Sequence, residues 1–277
     1  TTTTNNYNNN NTSRTSSTAS NKSDQTKTQQ HQNKGTMDAH ATAALTALNA
    51  GWYNESNGLW DSTSNPNGAQ WWNSANTLEV LCNFELYGGA SSVTDLVLTT
   101  HNTFAKTSLA DTLTGRYDDE GWWSLAWIRA YELTGQDSFL TRADEIFENL
   151  VDDAWDDTCG GGCWWSYNKQ YKNAITNELF LMMAIKLHEH MPAGVTKKDK
   201  TYLQWAQDTW TWFDKSGMIN AQHLINDGLV YGTCENNNET EWTYNQGVIL
   251  GGLAYLANAT GDAELVDTAV QIAEAAS

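Results

Sequence analysis

The sequence predicts an all-α protein built as a toroid of two concentric helical layers. Three observations carry that expectation. Past residue 36 the chain reads as one helical segment after another. Its only two prolines, Pro66 and Pro192, fall between those segments. Segments with one apolar stripe alternate with segments that are apolar on every face. Proline inside a helix removes a backbone donor and clashes with the preceding turn, so its confinement to linkers suits a helical protein. A striped helix lies at a surface and an all-round apolar one must be enclosed, so alternation implies inner helices ringed by outer ones. An irregular multi-helix bundle is the alternative this pattern leaves open.

Residues 1–36 are nearly all Thr, Asn, Ser, Gln and Lys, with Tyr7 the only large apolar side chain. Such a stretch cannot bury enough surface to offset ordering entropy, and a disordered tail is expected. The folded domain is expected over 37–277, with helices near 37–50, 70–87, 92–106, 119–134, 137–152, 174–190, 197–215, 244–259 and 261–276. Segment 137–152 places Phe139, Leu140, Ala143, Ile146, Phe147, Leu150 and Val151 on one stripe, as an outer helix does. Segments 92–106 and 261–276 behave the same way, and 197–215 does so with more tryptophan. In contrast, 174–190 holds the run Leu179 to Ile185 and 244–259 the run Val248 to Leu256, and 119–134 is nearly as apolar. These are the inner candidates. Gly88-Gly89, Gly135 and Gly261 mark turns, the last two each just ahead of an aspartate that opens the next helix.

Composition excludes several functions. Asp and Glu number 33 against 15 Lys and Arg, a formal charge of −18. That surface repels phosphate backbones, so no nucleic-acid partner is expected. No run of 18 apolar residues appears, so no transmembrane helix is expected. Fourteen tryptophans exceed what a core needs, because a buried indole N–H requires a partner, and the surplus suggests a binding cleft. Cys82, Cys159, Cys163 and Cys234 fit no zinc spacing, and an even count allows two disulfides in three connectivities. Sequons stand at Asn10, Asn11, Asn21, Asn54, Asn238 and Asn258, with Asn54, Asn238 and Asn258 the glycosylation candidates inside the domain. Cysteines, sequons and acidity together point to a secreted or cell-surface protein.

The chemistry concentrates at the starts of the inner segments. Tyr117-Asp118-Asp119-Glu120-Gly121-Trp122-Trp123 sets two adjacent carboxylates between aromatic rings. Glycoside hydrolysis uses two carboxyl groups at one bond, and sugars lie on flat aromatic faces. The competing explanation is a helix cap, which accounts for the acids but poorly for the rings. The other starts are Trp71-Trp72-Asn73, Thr176-Asn177-Glu178 and Tyr244-Asn245-Gln246. In a toroid the inner helices run parallel, so these groups would gather around one depression. The loop Cys159-Gly160-Gly161-Gly162-Cys163-Trp164-Trp165 reads equally as a close backbone approach to a ligand or as a tight turn. Asp152-Asp153 and Asp156-Asp157 read as a solvated turn, with calcium a minor alternative. His188, His190 and His223 match no ligand spacing. No cofactor and no metal are expected.

Taken together and in this order, the acid pair, the glycine loop, Thr176-Asn177-Glu178 and Thr243-Tyr244-Asn245-Gln246-Gly247 resemble the motifs of glycoside hydrolase family 76, the endo-α-1,6-mannanases. The likeness runs from about Trp52 to the C-terminus. It implies an (α/α)6 barrel and a retaining mechanism on α-1,6-linked mannose. Asp118 would be the nucleophile and Asp119 the general acid/base. Trp71, Trp72, Asn73, Tyr117, Trp122, Trp123, Trp164, Asn177, Glu178, Tyr244, Asn245 and Gln246 would bind the glycan. The fungal subgroup implies a Cys159–Cys234 disulfide, with Cys82 and Cys163 left unassigned. The partner is then α-1,6-mannan or another mannose-containing wall glycan, bound by a monomer. A transglycosidase joining GPI-linked mannan to wall glucan, and a non-catalytic glycan-binding relative, are the alternatives. Nine helices fall short of the twelve in such a barrel, so the chain is expected to be incomplete and poorly stable or inactive alone. Any membrane or GPI attachment would lie past Ser277.

Overall fold

The computed structural model describes residues 39–60, 71–88, 93–105, 109 and 113–277; the expected tail, Pro66 and the sequons at Asn10, Asn11 and Asn21 lie outside them. Among the described residues there are nine helices. They are α1 (39–52), α2 (Trp71–Leu86), α3 (Thr94–Ala105), α4 (Tyr117–Thr134), α5 (Asp137–Asn149), α6 (Ala174–His190), α7 (Tyr202–Lys215), α8 (Thr243–Thr260) and α9 (Glu264–Ala275). Two antiparallel hairpins complete the elements. One pairs β1 (Tyr53–Asn54) with β2 (Leu59–Trp60), and the other pairs β3 (Thr196–Lys197) with β4 (Lys200–Thr201).

The two expected layers are present. Helices α2, α4, α6 and α8 pack side by side in chain order, while α5, α7 and α9 lie against α4, α6 and α8 respectively. Glycine sets how closely the inner helices approach. A Cβ on Gly121 would stand 3.0 Å from Leu179 Cβ, and one on Gly252 would stand 2.9 Å from Leu181 Cδ2. Helix α6, between those contacts, is buried on nearly every face from Ala174 to Leu187. Outer helix α5 buries Phe139, Leu140, Ala143, Ile146 and Phe147, the stripe read from the sequence. Gly135 and Gly261 close α4 and α8 in the left-handed region, returning their N–H groups to Tyr131 and Ala257.

Three expectations need correction. The segment 197–215 is not one helix. Lys198 and Asp199 both have positive φ in the turn of the β3–β4 hairpin, and Thr201 then caps α7 in a reciprocal box with Gln204. Helix α5 ends at Asn149 and passes into one wider π-turn, Leu150–Ala154. Helix α8 is not enclosed all round. Ile249, Leu253 and Leu256 are buried, whereas Val248, Leu250 and Tyr255 are half-buried and Ala254 is exposed. No extensive contact joins α8 to α2 among the described residues, so the inner ring is open on that side.

The loop between α5 and α6 is held by one lysine. Lys172 is buried, and its ammonium donates to Asp156 Oδ1 at 2.9 Å and to the carbonyls of Asp156, Thr158, Gly161 and Gly162 at 2.7–3.1 Å. It also lies over the Trp164 ring, 4.7 Å from the centroid. Burial disfavours the charged Lys172, which is held below its ordinary range despite Asp156. Asp156 is therefore a counter-ion and not part of a solvated turn. Burial opposes its ionisation, but hydrogen bonds from Trp164 and Lys172 hold it at about 2. Replacing Lys172 with methionine leaves several buried carbonyls without a donor. Lys172→Met is expected to lower unfolding free energy by about 3 kcal/mol in a denaturant titration. A loss under about 1 kcal/mol would show that the loop holds itself.

Candidate active site

The N-terminal turns of the four inner helices open on one cavity of about 320 Å³. Helix α2 supplies Trp72 and Asn76, α4 supplies Asp118, Asp119 and Trp122, and Ile175 and Tyr244 come from α6 and α8. Parallel inner helices dictate this gathering, because each presents the same end to the same face.

The acid pair does not cap its helix by side chain. Arg116 is the N-cap residue of α4 and makes no side-chain cap bond. Asp118 Oδ1 instead accepts the Asp119 amide at 3.0 Å, and Asp118 Oδ2 accepts Trp165 Nε1 at 3.0 Å. Asp119 Oδ2 accepts the Thr114 hydroxyl at 3.2 Å. Burial first, then the neighbouring Asp119 charge, push the Asp118 carboxyl up to about 6. Burial also raises Asp119, opposed by the Thr114 bond and the Arg116 charge. The sharper rise thus falls on Asp118, although its place at the helix N-terminus favours ionisation. Close carboxyls titrate as a pair, so the dyad takes up its first proton from neutrality near this value.

Glu120, one residue on, turns inward. It accepts Asn149 Nδ2 at 3.1 Å and the Tyr167 hydroxyl at 3.3 Å, and burial pushes it up to about 8. Glu178 is fully buried, and both of its oxygens lack a hydrogen-bond partner. Burial and then the Asp227 charge hold its carboxyl well above the ordinary value. Asn245 is also fully buried, with both side-chain polar atoms unpartnered.

The other sequence candidates divide sharply. Trp72 and Tyr244 are 45% and 41% exposed and face the cavity with Trp122. Asn73, beside Trp72, is half-buried, and its Oδ1 is enclosed without a hydrogen-bond partner. Trp71 and Trp123 pack on one another with ring centroids 5.1 Å apart, and Trp123 stacks on Trp127 in the core. Tyr117 is buried against Tyr167. Trp164 donates to Asp156 and serves the loop, while its neighbour Trp165 reaches Asp118. Asn177 accepts Cys163 N at 2.6 Å and donates to the carbonyls of Cys163 and Asn173, tying the glycine loop to α6. Gln246 exchanges two hydrogen bonds with the Ile225 backbone. These two amides are structural ties and do not line the cavity.

Several residues were missed in the sequence. Thr114 and Arg116 lie a few residues ahead of the acid pair, and Arg116 lies 5.1 Å from the Trp165 ring centre. Asp227 accepts the Tyr171 hydroxyl, while its own carbonyl accepts the first amide of α6 at 2.8 Å. Asp227, Asp118 and Glu178 all act on the Tyr244 phenol, which burial and those charges raise to about 12. Away from the cavity, Glu132, Glu189 and His190 converge, but Lys186 already bonds Glu132 at 2.6 Å and Glu189 at 2.8 Å.

The profile of glycosyl hydrolase family 76 matches residues 36–277. The chain belongs to glycosyl hydrolase family 76. A Schizosaccharomyces pombe relative is 30% identical over 253 residues, 84% of this chain and 54% of its own length. Mannan endo-1,6-α-mannosidase DCW1 of Candida albicans is 30% identical over 174 residues, covering 57% of this chain and 37% of the relative. The chain thus spans about half the length of the curated relatives it matches, or less. Among solved structures, the GH76A α-1,6-mannanase of Salegentibacter sp. HEL1_6 superposes with a TM-score of 0.72 at 25% identity, covering 86% of this chain and 69% of that one. Dfg5 from Chaetomium thermophilum shares the fold, with a TM-score of 0.70 at 19% identity over 85% of this chain and 61% of that one. The family-76 fold is an α/α toroid, as the helical order implied. The disulfide implied by the resemblance is present between Cys159 and Cys234, and Cys82 and Cys163 are buried free thiols.

Glu120 makes a pH-dependent contribution to stability. Its folded value, about 8, lies above the ordinary 4.5. The folded state therefore holds this proton more tightly, and the stabilisation is complete below about 4.5 and lost as pH rises through about 8. Glu120→Gln should shrink the fall in Tm between those two values by at least about 2 °C, read by calorimetry. An unchanged fall would assign the effect to another group.

Proposed function

We propose that this chain is the catalytic part of a retaining endo-α-1,6-mannosidase that cleaves mannan at a secreted or cell-surface location. The observation that carries the reading is the Asp118–Asp119 pair at the base of a cavity flanked by Trp72, Trp122 and Tyr244. Family membership supports the reaction class, and the relatives' printed names support mannan as substrate. The disulfide and the exposed sequon at Asn238, which sits at positive φ, support the location.

In this mechanism the one proton shared by the pair sits on Asp119 in the reactive complex. Asp118 attacks the anomeric carbon as the glycosidic C–O bond breaks, and Asp119 gives that proton to the leaving oxygen. Water then attacks the glycosyl–Asp118 ester while Asp119 takes back a proton, which restores both carboxyls and retains configuration. Trp165 Nε1 and the Asp119 amide position the attacking carboxylate. Cavity rings offer flat faces to the apolar sides of mannose. Glu178 and Asn245 contribute buried polar groups at the same helix ends.

A second reading, transfer to a sugar acceptor instead of water, is favoured by one observation. Trp242 and Tyr244 are both exposed and stack nearly parallel, with centroids 5.9 Å apart, beside the cavity. Such a platform can hold an acceptor ring.

Incubating the chain with linear α-1,6-mannan should release reducing ends, a result that would overturn the inactivity expected of an incomplete barrel. Asp118→Asn and Asp119→Asn should each lower that rate by at least about 10²-fold. Longer products on adding an oligosaccharide acceptor would favour transfer, whereas no change in the glycan by either route would overturn both readings. The alkaline limb of kcat/KM should lie near 6, where the pair loses the one proton that the donor needs. Trp165→Phe removes a donor to the ionised form, so that limb should move to higher pH; an unmoved limb would separate Trp165 from catalysis.

A further inference from the structure

A second cavity, of about 390 Å³, opens on the outer side of the glycine loop and shares no lining residue with the first. Its size falls within the range of about 300–1,000 Å³ typical of small-molecule sites. Two indoles line it. Trp212 is fixed by a hydrogen bond from its Nε1 to the Cys159 carbonyl at 3.0 Å. Trp155 stands edge-on to Trp212 and Trp205, with centroids 6.4 and 5.3 Å away. Both rings are therefore immobilised before any ligand arrives, which lowers the ordering cost of binding.

The glycine loop packs onto these rings at Gly161 and leaves space at Gly160. A Cβ on Gly161 would come within 3.0 Å of Trp212 and 3.2 Å of Trp155, while beside Gly160 nothing lies within 4 Å. A side chain at Gly160 would project into that space, whereas one at Gly161 would strike the rings. The rim carries Asp157 and Lys215 together with the Lys200–Asp208 ion pair at 2.7 Å, two charges of each sign. An anion would meet two carboxylates there, and an aliphatic ligand would desolvate the ion pair. A pyranose satisfies both constraints, since one face is apolar and its hydroxyls both donate and accept. We propose that this pocket is a second glycan-binding site, separate from the catalytic cleft, that takes a neutral pyranose of a polysaccharide chain. Its wall is the loop that also positions Asp118 through Trp165, so a polymer held there is retained beside the cleft at raised effective concentration.

The test uses the chain carrying Asp118→Asn, with linear α-1,6-mannotetraose and a linear β-1,3-glucotetraose as probes. The indole N–H resonances of Trp155 and Trp212 should shift saturably with at least one probe. Thr211→Trp, on the exposed face of α7 at the pocket, should weaken that response at least tenfold while leaving the Trp72 titration unchanged. The choice of the first probe rests on the mannan reading, and Trp72 in the cleft reports on that reading separately. Shifts at Trp155 and Trp212 without one at Trp72 keep the second site and remove mannan from the cleft. No saturable shift at Trp155 and Trp212 with either probe, or a shift that survives Thr211→Trp, overturns the second site.

Discussion

The ammonium of Lys172 stands where five oxygens converge, and most of the site's geometry follows from it. Three N–H groups shared among five acceptors cannot be replaced by solvent, because the group is enclosed. The loop it gathers passes at once into Trp165, whose carbonyl accepts the Tyr117 amide at 2.9 Å and whose indole reaches Asp118. On the other side, the Lys172 carbonyl accepts the Leu229 amide at 3.0 Å, fixing the irregular stretch that carries Asp227. Gly228 permits this approach, since a Cβ there would lie 2.7 Å from that same carbonyl. One buried cation thus sets the positions of acids on two distant stretches of chain.

Parallel inner helices bring a second constraint. Their N-terminal dipoles favour carboxylates, whereas enclosure among rings disfavours any charge. The observed result at α4 is graded. Asp119, the least enclosed, is raised only modestly, Asp118 reaches about 6 and Glu120 about 8. Burial outweighs the dipole at all three. Adjacent carboxyls of one helical turn thus take up protons at different pH, because enclosure changes over a few ångströms.

The helical order, the layering and the acid pair were legible because each leaves a periodic or local mark. Helix α6 announces itself by an apolar run with no polar face, and α5 by a single stripe. The mark fails where a decision is made by partners far away in sequence. Trp71 and Trp123 look like sugar platforms beside the acids, yet they pack on one another because α2 and α4 are neighbours. Trp164 and Trp165 are chemically identical, and only the loop's path sends one to Asp156 and the other to Asp118. Asp227 lay in an irregular stretch with no periodicity to flag it. The run over 244–259 was too apolar to read as half-open, since an unpartnered flank has the composition of a partnered one.

Raised carboxyls have a consequence for the molecule as a whole. The formal charge of −18 counts every carboxyl as ionised. Burial pushes Glu120 up to about 8 and holds Glu178 well above its ordinary range, so the folded chain keeps protons that the formal count removes. Unfolding releases those protons. Native and denatured forms should therefore migrate differently in an electric field beyond what their dimensions explain, and heating in a weak buffer should acidify the solution.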